Sequence, residues 1–173
     1  MSIFGNLFRT PGAGDGPPLD LDGAPIDRQI AARMAYEINN EPQFAGVTAE
    51  QIANPKRRLK DMVEGDVLVD CLGVGVRSEV WNRRNYRREY LTHAALRSKL
   101  TDGQVTPDIL DTLGIMSQAV QTFFESVKRI DLDDGASATL IKAEPFVHVA
   151  RGQLFGEGLF LSPIQFAWLY HPG

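Results

Sequence analysis

The chain has 173 residues, of which 43% are hydrophobic and 23% charged, so we expect one domain with its own core. The formal net charge of −4 gives no overall basic character of the kind that marks nucleic-acid-binding domains. A single cysteine, Cys71, excludes an internal disulfide, and no apolar run reaches the roughly 18 residues of a membrane helix. These features favour a soluble protein made in the cytoplasm.

Residues 1–24 predict an extended N-terminal arm in front of a single domain at residues 25–173. Proline and glycine are dense in PGAGDGPPLDLDG, and no apolar periodicity is visible there. The arm nevertheless begins with four apolar side chains, which are Ile3, Phe4, Leu7 and Phe8. They either dock on a neighbouring subunit or fold back on their own domain, and the sequence leaves both interpretations open.

Residues 26–39 predict the first helix, because Ile26, Ile30, Met34 and Ile38 recur every four residues. Pro42 is expected to end it. Thr48 followed by Gln51 resembles a capping box and predicts a short second helix that stops before Pro55. The basic stretch KRRLK at 56–60 follows, with no role assigned.

Residues 66–81 predict a long strand, in which alternating valines change phase beside Gly73 and Gly75. Such a phase change next to glycine is typical of a bulge or bend. Cys71 lies in this apolar run and is interpreted as a buried small hydrophobe and not as a reactive thiol. A polar hairpin tip is predicted at 82–88, and a second strand follows it. Tyr90, Thr92, Ala94 and Leu96 share one predicted face of this strand, and Leu91, His93 and Ala95 share the other. Both faces contain apolar residues, so both are expected to be partly covered.

Thr106, Pro107 and Asp108 form a strong helix start, with a capping hydroxyl, a proline at the first position and an acid in the first turn. The predicted apolar seam of this long helix consists of Ile109, Leu113, Met116, Val120, Phe123, Val127 and Ile130. Strands are predicted near 138–142, 146–150 and 159–170, and Pro163 suggests an edge or a bulge in the last. One face of that last strand should contain Phe160, Ile164, Phe166, Trp168 and Tyr170. The predicted fold class is α+β: a mostly antiparallel β-sheet with a long hairpin, and two main helices on one face.

The sequence shows no motif for catalysis, metal binding or cofactor binding. His93, His148 and His171 lie far apart and lack metal-ligand spacing, and DLDDG at 131–135 lacks the closing glutamate of a calcium loop. We therefore expect no enzyme activity, no metal and no cofactor.

The sharpest charged feature is an arginine cluster beside two aromatic residues, near the predicted hairpin tip. Such a cluster fits either an interface with a partner protein or a surface that grips phosphates and stacks bases. The residues concerned are Trp81, Arg83, Arg84, Tyr86, Arg87 and Arg88.

The order of elements resembles that of neck and tail-completion proteins of tailed bacteriophages, in particular the tail terminator family. The resemblance is carried by a helix at 26–38, by Y-x-T-x-A-x-L-x-S-K-L at 90–100, by a helix beginning D-x-L-x-x-L at 108, and by F-x-S-x-I-x-F-x-W-x-Y at 160–170. It covers roughly residues 25–171 and leaves out the arm.

This resemblance implies a structural virion protein without catalytic residues. It would form a ring, commonly a hexamer, that ends the tail tube and joins it to the head-side connector or stopper proteins. Genomic DNA would pass through the ring without specific binding, and no membrane would be involved. A head-closure or stopper protein of the same neck would share this class but not this position. The alternative function is a small nucleic-acid-binding protein that uses the arginine-rich tip.

Overall fold

The computed structural model describes residues 23–52, 62–82, 85–101, 105–145 and 158–173, with the backbone alone at 79–82, 85, 86 and 134. Eight helices and strands follow one another in these residues, apart from two short 3₁₀ turns at Pro42–Phe44 and Asp133–Gly135. They are α1 (Ile26–Asn40), β1 (Val47–Gln51), β2 (Val67–Asn82), β3 (Asn85–Lys99), α2 (Pro107–Val127), β4 (Arg129–Asp131), β5 (Ser137–Pro145) and β6 (Leu159–His171).

The six strands form one sheet in the order β1-β2-β3-β6-β5-β4. Every neighbouring pair is antiparallel except β1 and β2, which run parallel. The predicted α+β class with a mostly antiparallel sheet is therefore confirmed. Neither helix in the described part of the chain combines the length and the apolar character needed to cross a membrane.

Both helices pack on the same face of the sheet, because their buried side chains belong to one hydrophobic cluster with the sheet's inward residues. Trp168 of β6 donates from Nε1 to the hydroxyl of Thr92 in β3 at 2.9 Å, and Thr92 donates to the sulfur of Met34 in α1 at 3.1 Å. All three side chains are completely buried, so this chain of polar contacts fixes α1 over the middle of the sheet.

Helix α1 confirms the prediction from its apolar period. Ile30, Met34 and Ile38 are fully buried, and the helix runs to Asn40, just before Pro42. Arg33 and Glu37 lie one turn apart and form an ion pair at 2.7 Å. Apolar periodicity over four turns is a strong signal, since burying that stripe dominates the stability of such a helix.

The short helix predicted from Thr48 and Gln51 is wrong, because these residues belong to strand β1. Val47 and Thr48 are β-branched and favour extended backbone. The strand pairs with β2 from Val47↔Val67 to Gln51↔Cys71. Asn39 also accepts from the amide of Ala49 and donates to its carbonyl, both at 2.8 Å. Pairing with β2 and with Asn39 outweighs the local capping pattern, which is a weak signal by itself.

The long hairpin has the predicted bulge but a shorter tip than predicted. The register between β2 and β3 shifts between Gly73 and Gly75, and Gly75 has a φ of +135°. The polar tip predicted at 82–88 is too long, because β2 runs to Asn82 and β3 begins at Asn85. Polar residues continue the ladder there, since backbone pairing in a two-stranded ribbon does not require a buried face.

Helix α2 starts as predicted, with the amide of Ile109 donating to the Thr106 hydroxyl at 3.4 Å. The predicted seam is partly wrong. The helix ends at Val127, where Lys128 adopts a left-handed φ of 59°, and Ile130 lies in β4. The buried positions on the helix are Leu113, Ser117, Val120 and Phe124. Phe123 is only partly buried because it lies at the margin of that stripe, where its ring meets Phe44 edge to face.

The C-terminal strands match the prediction with two changes. The strand predicted at 138–142 is longer, and the one predicted at 146–150 lies outside the described residues. Strand β6 lies between β3 and β5 and is therefore not an edge strand of the sheet, although Pro163 was expected to mark an edge or a bulge. Proline is accommodated there because the described ladder between β5 and β6 stops at Ile164, so only β3 pairs with Pro163.

Candidate assembly surface

The most unusual feature of the described chain is the outer edge of β2 beyond Cys71. Strand β1 covers this edge only as far as Gln51↔Cys71, and the amide of Ile52 adds one last bond to the Cys71 carbonyl at 2.9 Å. From residue 72 onwards, no described strand pairs with the outer side of β2. We call residues 72–78 the open edge of β2.

The hairpin also extends beyond the sheet. The ladder between β3 and β6 begins at Tyr90↔Trp168, so residues 85–89 of β3 pair only with β2 among the described strands. We call residues 77–82 and 85–89 the distal ribbon. Six residues of β-strand span about 20 Å. The ribbon is therefore long enough to reach a neighbouring molecule.

Two apolar side chains are exposed on the open edge. Val74 is 46% exposed and Val76 is 52% exposed, although valine is usually buried in strands. Val76 lies opposite Tyr90, whose ring packs edge to face on Tyr170 at 5.8 Å. The open edge thus combines backbone groups without a described strand partner with apolar surface, which is the combination that favours addition of another strand.

The opposite edge of the sheet is built differently. Strand β4 has only three residues and holds an exposed ion pair between Arg129 and Asp131 at 3.3 Å. Beyond it, β5 exposes Lys142 and Glu144, which pair at 2.5 Å and are 57% and 56% exposed. Short edge strands and charged side chains are the usual devices against unwanted strand pairing. The open edge of β2 has neither device at Val74 and Val76.

An acidic residue organises the base of the distal ribbon. Glu89 has a side chain only 5% exposed and accepts from Arg77 at 2.6 Å across the hairpin. Arg87, two residues away on the same strand, lies 3.6 Å from the other carboxylate oxygen. Both arginines are therefore held by one buried carboxylate, which fixes the ribbon's side chains as well as its backbone.

Of the predicted arginine cluster, the structure describes only the side chains of Arg87 and Arg88. Arg87 is half-buried beside Glu89, whereas Arg88 is exposed. Trp81 and Tyr86 lie in β2 and β3, but only their backbones are described. Arg83 and Arg84 lie outside the described residues.

The apolar residues predicted to dock the N-terminal arm also lie outside the described residues. These are Ile3, Phe4, Leu7 and Phe8. The same holds for KRRLK at 56–60 and for His148.

A second feature lies on the face of the sheet away from the helices. Asp70 of β2 and Arg97 of β3 form an ion pair at 2.5 Å, with each side chain only 4% exposed. A buried ion pair is costly to break, since a charge is then left in a medium of low polarity. This pair ties the first half of β2 to β3.

Cys71 is completely buried in the core, as predicted. Burial, and to a lesser extent the neighbouring charge of Asp70, raises the pKa of its thiol far above the usual value. Because the thiolate is the nucleophile, this cysteine is chemically inert in the folded protein. Burial also lowers the pKa of His93, which lies opposite Leu72 in the hairpin. Within the described residues, no three His, Cys, Asp or Glu side chains are arranged to hold a metal ion.

Sequence reasoning singled out the arginines of the hairpin but missed Val74, Val76 and Glu89. The valines alternate as a buried strand does, so their residue types do not reveal exposure. The only signal was the phase change at Gly73 and Gly75, because a bulge bends a strand away from its partners.

No protein-family model matches this chain, and no curated protein sequence is similar enough to count as a relative.

Proposed function

We propose that this chain is a structural protein of the head–tail neck of a tailed bacteriophage. In this proposal its copies form a closed ring, a hexamer as in the family that the sequence resembles, that ends the tail tube and joins it to the head-side connector. The observation that carries the proposal is the open edge of β2 beside the projecting distal ribbon.

A ring needs two different surfaces on each subunit, since each copy contacts the next head to tail. The two edges of this sheet differ in this way. The edge at β4 and β5 is charged, whereas the edge at Val74 and Val76 is apolar. Such asymmetry supports contacts between unlike surfaces and argues against two copies of the same edge pairing with each other.

The long hairpin adds further support. Its distal ribbon projects past the other described strands and is held rigid at its base by Glu89. A projecting ribbon can cross a subunit boundary without disturbing the core of its own domain. The net charge of −4 suits a ring through which DNA slides without sticking.

The mass of the purified chain in solution tests the proposal. Light scattering over a hundredfold range of concentration is expected to show a closed assembly of about six copies. Negative-stain electron microscopy should then show rings with a central opening. A strictly monomeric chain at the highest concentration, with no rings on the grid, would count against it.

The alternative function is nucleic-acid binding through the arginine cluster of the hairpin. Arg88 is exposed, but Glu89 holds both Arg77 and Arg87. Fluorescence anisotropy with a labelled DNA duplex at rising salt separates the two functions. The ring protein should bind weakly at all salt concentrations. Tight binding that is lost when Arg83, Arg84, Arg87 and Arg88 are changed to Gln would favour the alternative.

A further inference from the structure

The N-terminal segment enters the fold beside the open edge of β2. A Cβ added to Gly73 would lie 2.8 Å from the amide nitrogen of Arg28 and 2.7 Å from a carboxylate oxygen of Asp27, so β2 touches the first turn of α1. Gln29 donates to the carbonyl of Ala24 at 2.7 Å and fixes the direction in which the chain enters that turn. The segment of residues 1–22 therefore joins the domain only a few positions before Asp27, whose turn contacts Gly73.

The length of the segment allows its apolar end to reach beyond its own domain. Fourteen residues lie between Phe8 and Gly23, and a fully extended chain joining the two spans up to about 50 Å. A domain of about 150 residues is only about 40 Å across. A tether of this length is therefore long enough to reach a neighbouring copy.

The composition of the segment fits a strand edge with apolar side chains. Its far end contains Ile3, Phe4, Leu7 and Phe8, of which the β-branched Ile3 and the aromatic Phe4 and Phe8 favour extended pairing. Val74 and Val76 supply exposed apolar surface on the edge, and an added strand would satisfy backbone groups there.

Charge complementarity points the same way. Residues 10–22 contain three aspartates, Asp15, Asp20 and Asp22, and no basic residue. The sequence from 77 to 89, which includes the distal ribbon, contains five arginines and two glutamates, and Arg88 is exposed. An acidic tether that crosses this ribbon gains favourable electrostatics, mainly in its rate of association.

From these observations we propose that the N-terminal segment of one copy docks on the open edge of β2 in a second copy of this chain. Residues 3–8 add a strand beside Val74 and Val76, and residues 10–22 cross the arginine-rich distal ribbon. The inference rests on the proposed function, because it supplies the link between adjacent subunits of the ring.

Disulfide trapping in the full-length chain tests this contact. The double variant Phe4→Cys with Val76→Cys is oxidised with copper phenanthroline and run on a non-reducing gel. We expect a ladder of covalent dimers and larger species that disappears on reduction. Cys71 should take no part, because its side chain is completely buried.

Matched variants show whether the cross-link is specific to the open edge of β2. Phe4→Cys with Lys142→Cys places the second thiol on the charged edge, at a residue of similar exposure. It should give at most a tenth of the dimer, as should Phe4→Cys alone. Val74→Cys replaces Val76→Cys if the latter does not fold. A cross-link within single chains, or equal dimer at both edges, would overturn the proposal.

The same samples distinguish failure of the docking from failure of the proposed function. If light scattering gives the mass of a closed assembly but the gel shows no ladder of cross-linked species, the ring forms through another surface and the docking is wrong. A ladder without a closed ring means that the docking is right and that the neck function is wrong.

Discussion

The two halves of β2 differ in environment although they form one continuous strand of similar composition. The first half, Val67–Cys71, lies between β1 and β3, and both Val69 and Cys71 are almost completely buried. The second half begins at Leu72, has no described strand on its outer side, and exposes about half of Val74 and Val76. Valines recur at alternate positions in both halves, at 67 and 69 and at 74 and 76. Burial along β2 therefore depends on which neighbouring strands lie beside a residue and not on its residue type.

The largest expected difference between the halves is in thiol reactivity. In a chain shortened by residues 1–22, so that the proposed docking cannot shield position 76, Cys71 should react with DTNB at least about a thousandfold more slowly than the thiol introduced by Val76→Cys. Cys71 is buried and its thiol pKa is raised, so it reacts only when the protein opens. The measurement is the absorbance change of V76C at pH 8, where two well-separated phases are expected. A single fast phase for both thiols would show that the first half is not protected.

Loss of the ion pair that anchors the first half should have the next largest effect. Arg97→Leu leaves the buried Asp70 without its guanidinium partner and should lower the free energy of unfolding by about 3–5 kcal/mol. Urea denaturation measures this change. The control is Arg129→Leu, which breaks an exposed pair and should cost less than about 1 kcal/mol. Equal losses in the two variants would contradict the structural role of the Asp70–Arg97 pair.

Substitution of Gly73 tests the point where the halves meet. Gly73→Ala places a methyl group against the backbone of Asp27 and Arg28 and should cost about 1–3 kcal/mol in unfolding free energy. Gly114→Ala in α2 is the matched control, since nothing lies within 4 Å of its added Cβ. That change should stabilise the protein by up to about 1 kcal/mol. A neutral Gly73→Ala would mean that α1 does not press on β2.

The smallest expected effect is a pH dependence from His93, opposite the first residue of the open half. Burial lowers the pKa of His93 below its ordinary value of 6.5, so the unfolded chain binds a proton at a pH where the folded chain does not. Stability should therefore fall as the pH drops from 7 to 5, by less than the cost of Gly73→Ala. Melting temperatures at both pH values measure this fall. His93→Gln should reduce it, and an unchanged fall would assign the dependence to other groups.

The sequence predicted those parts of the fold in which one strong local pattern decides the structure. The apolar stripe of α1, the capped start of α2 and the alternation of β6 all identified real elements. Strand β1 was missed because the pattern of Thr48 and Gln51 is local, whereas pairing with β2 and Asn39 is not. The same limit applies to the candidate surface. Residue types located the arginines of the hairpin, but the exposure of Val76 depends on where β1 stops.

The bulge at Gly75 has a consequence for the size of any ring. In a closed assembly each copy turns by a fixed angle relative to the last, about 60° for six copies and about 51° for seven. Gly75 adopts a φ of +135°, which side chains disfavour, within the open edge and beside the register shift between β2 and β3. A residue that alters this bend by a few degrees would leave the contact surfaces intact. It would change the number of copies that close the circle, and hence the width of the opening.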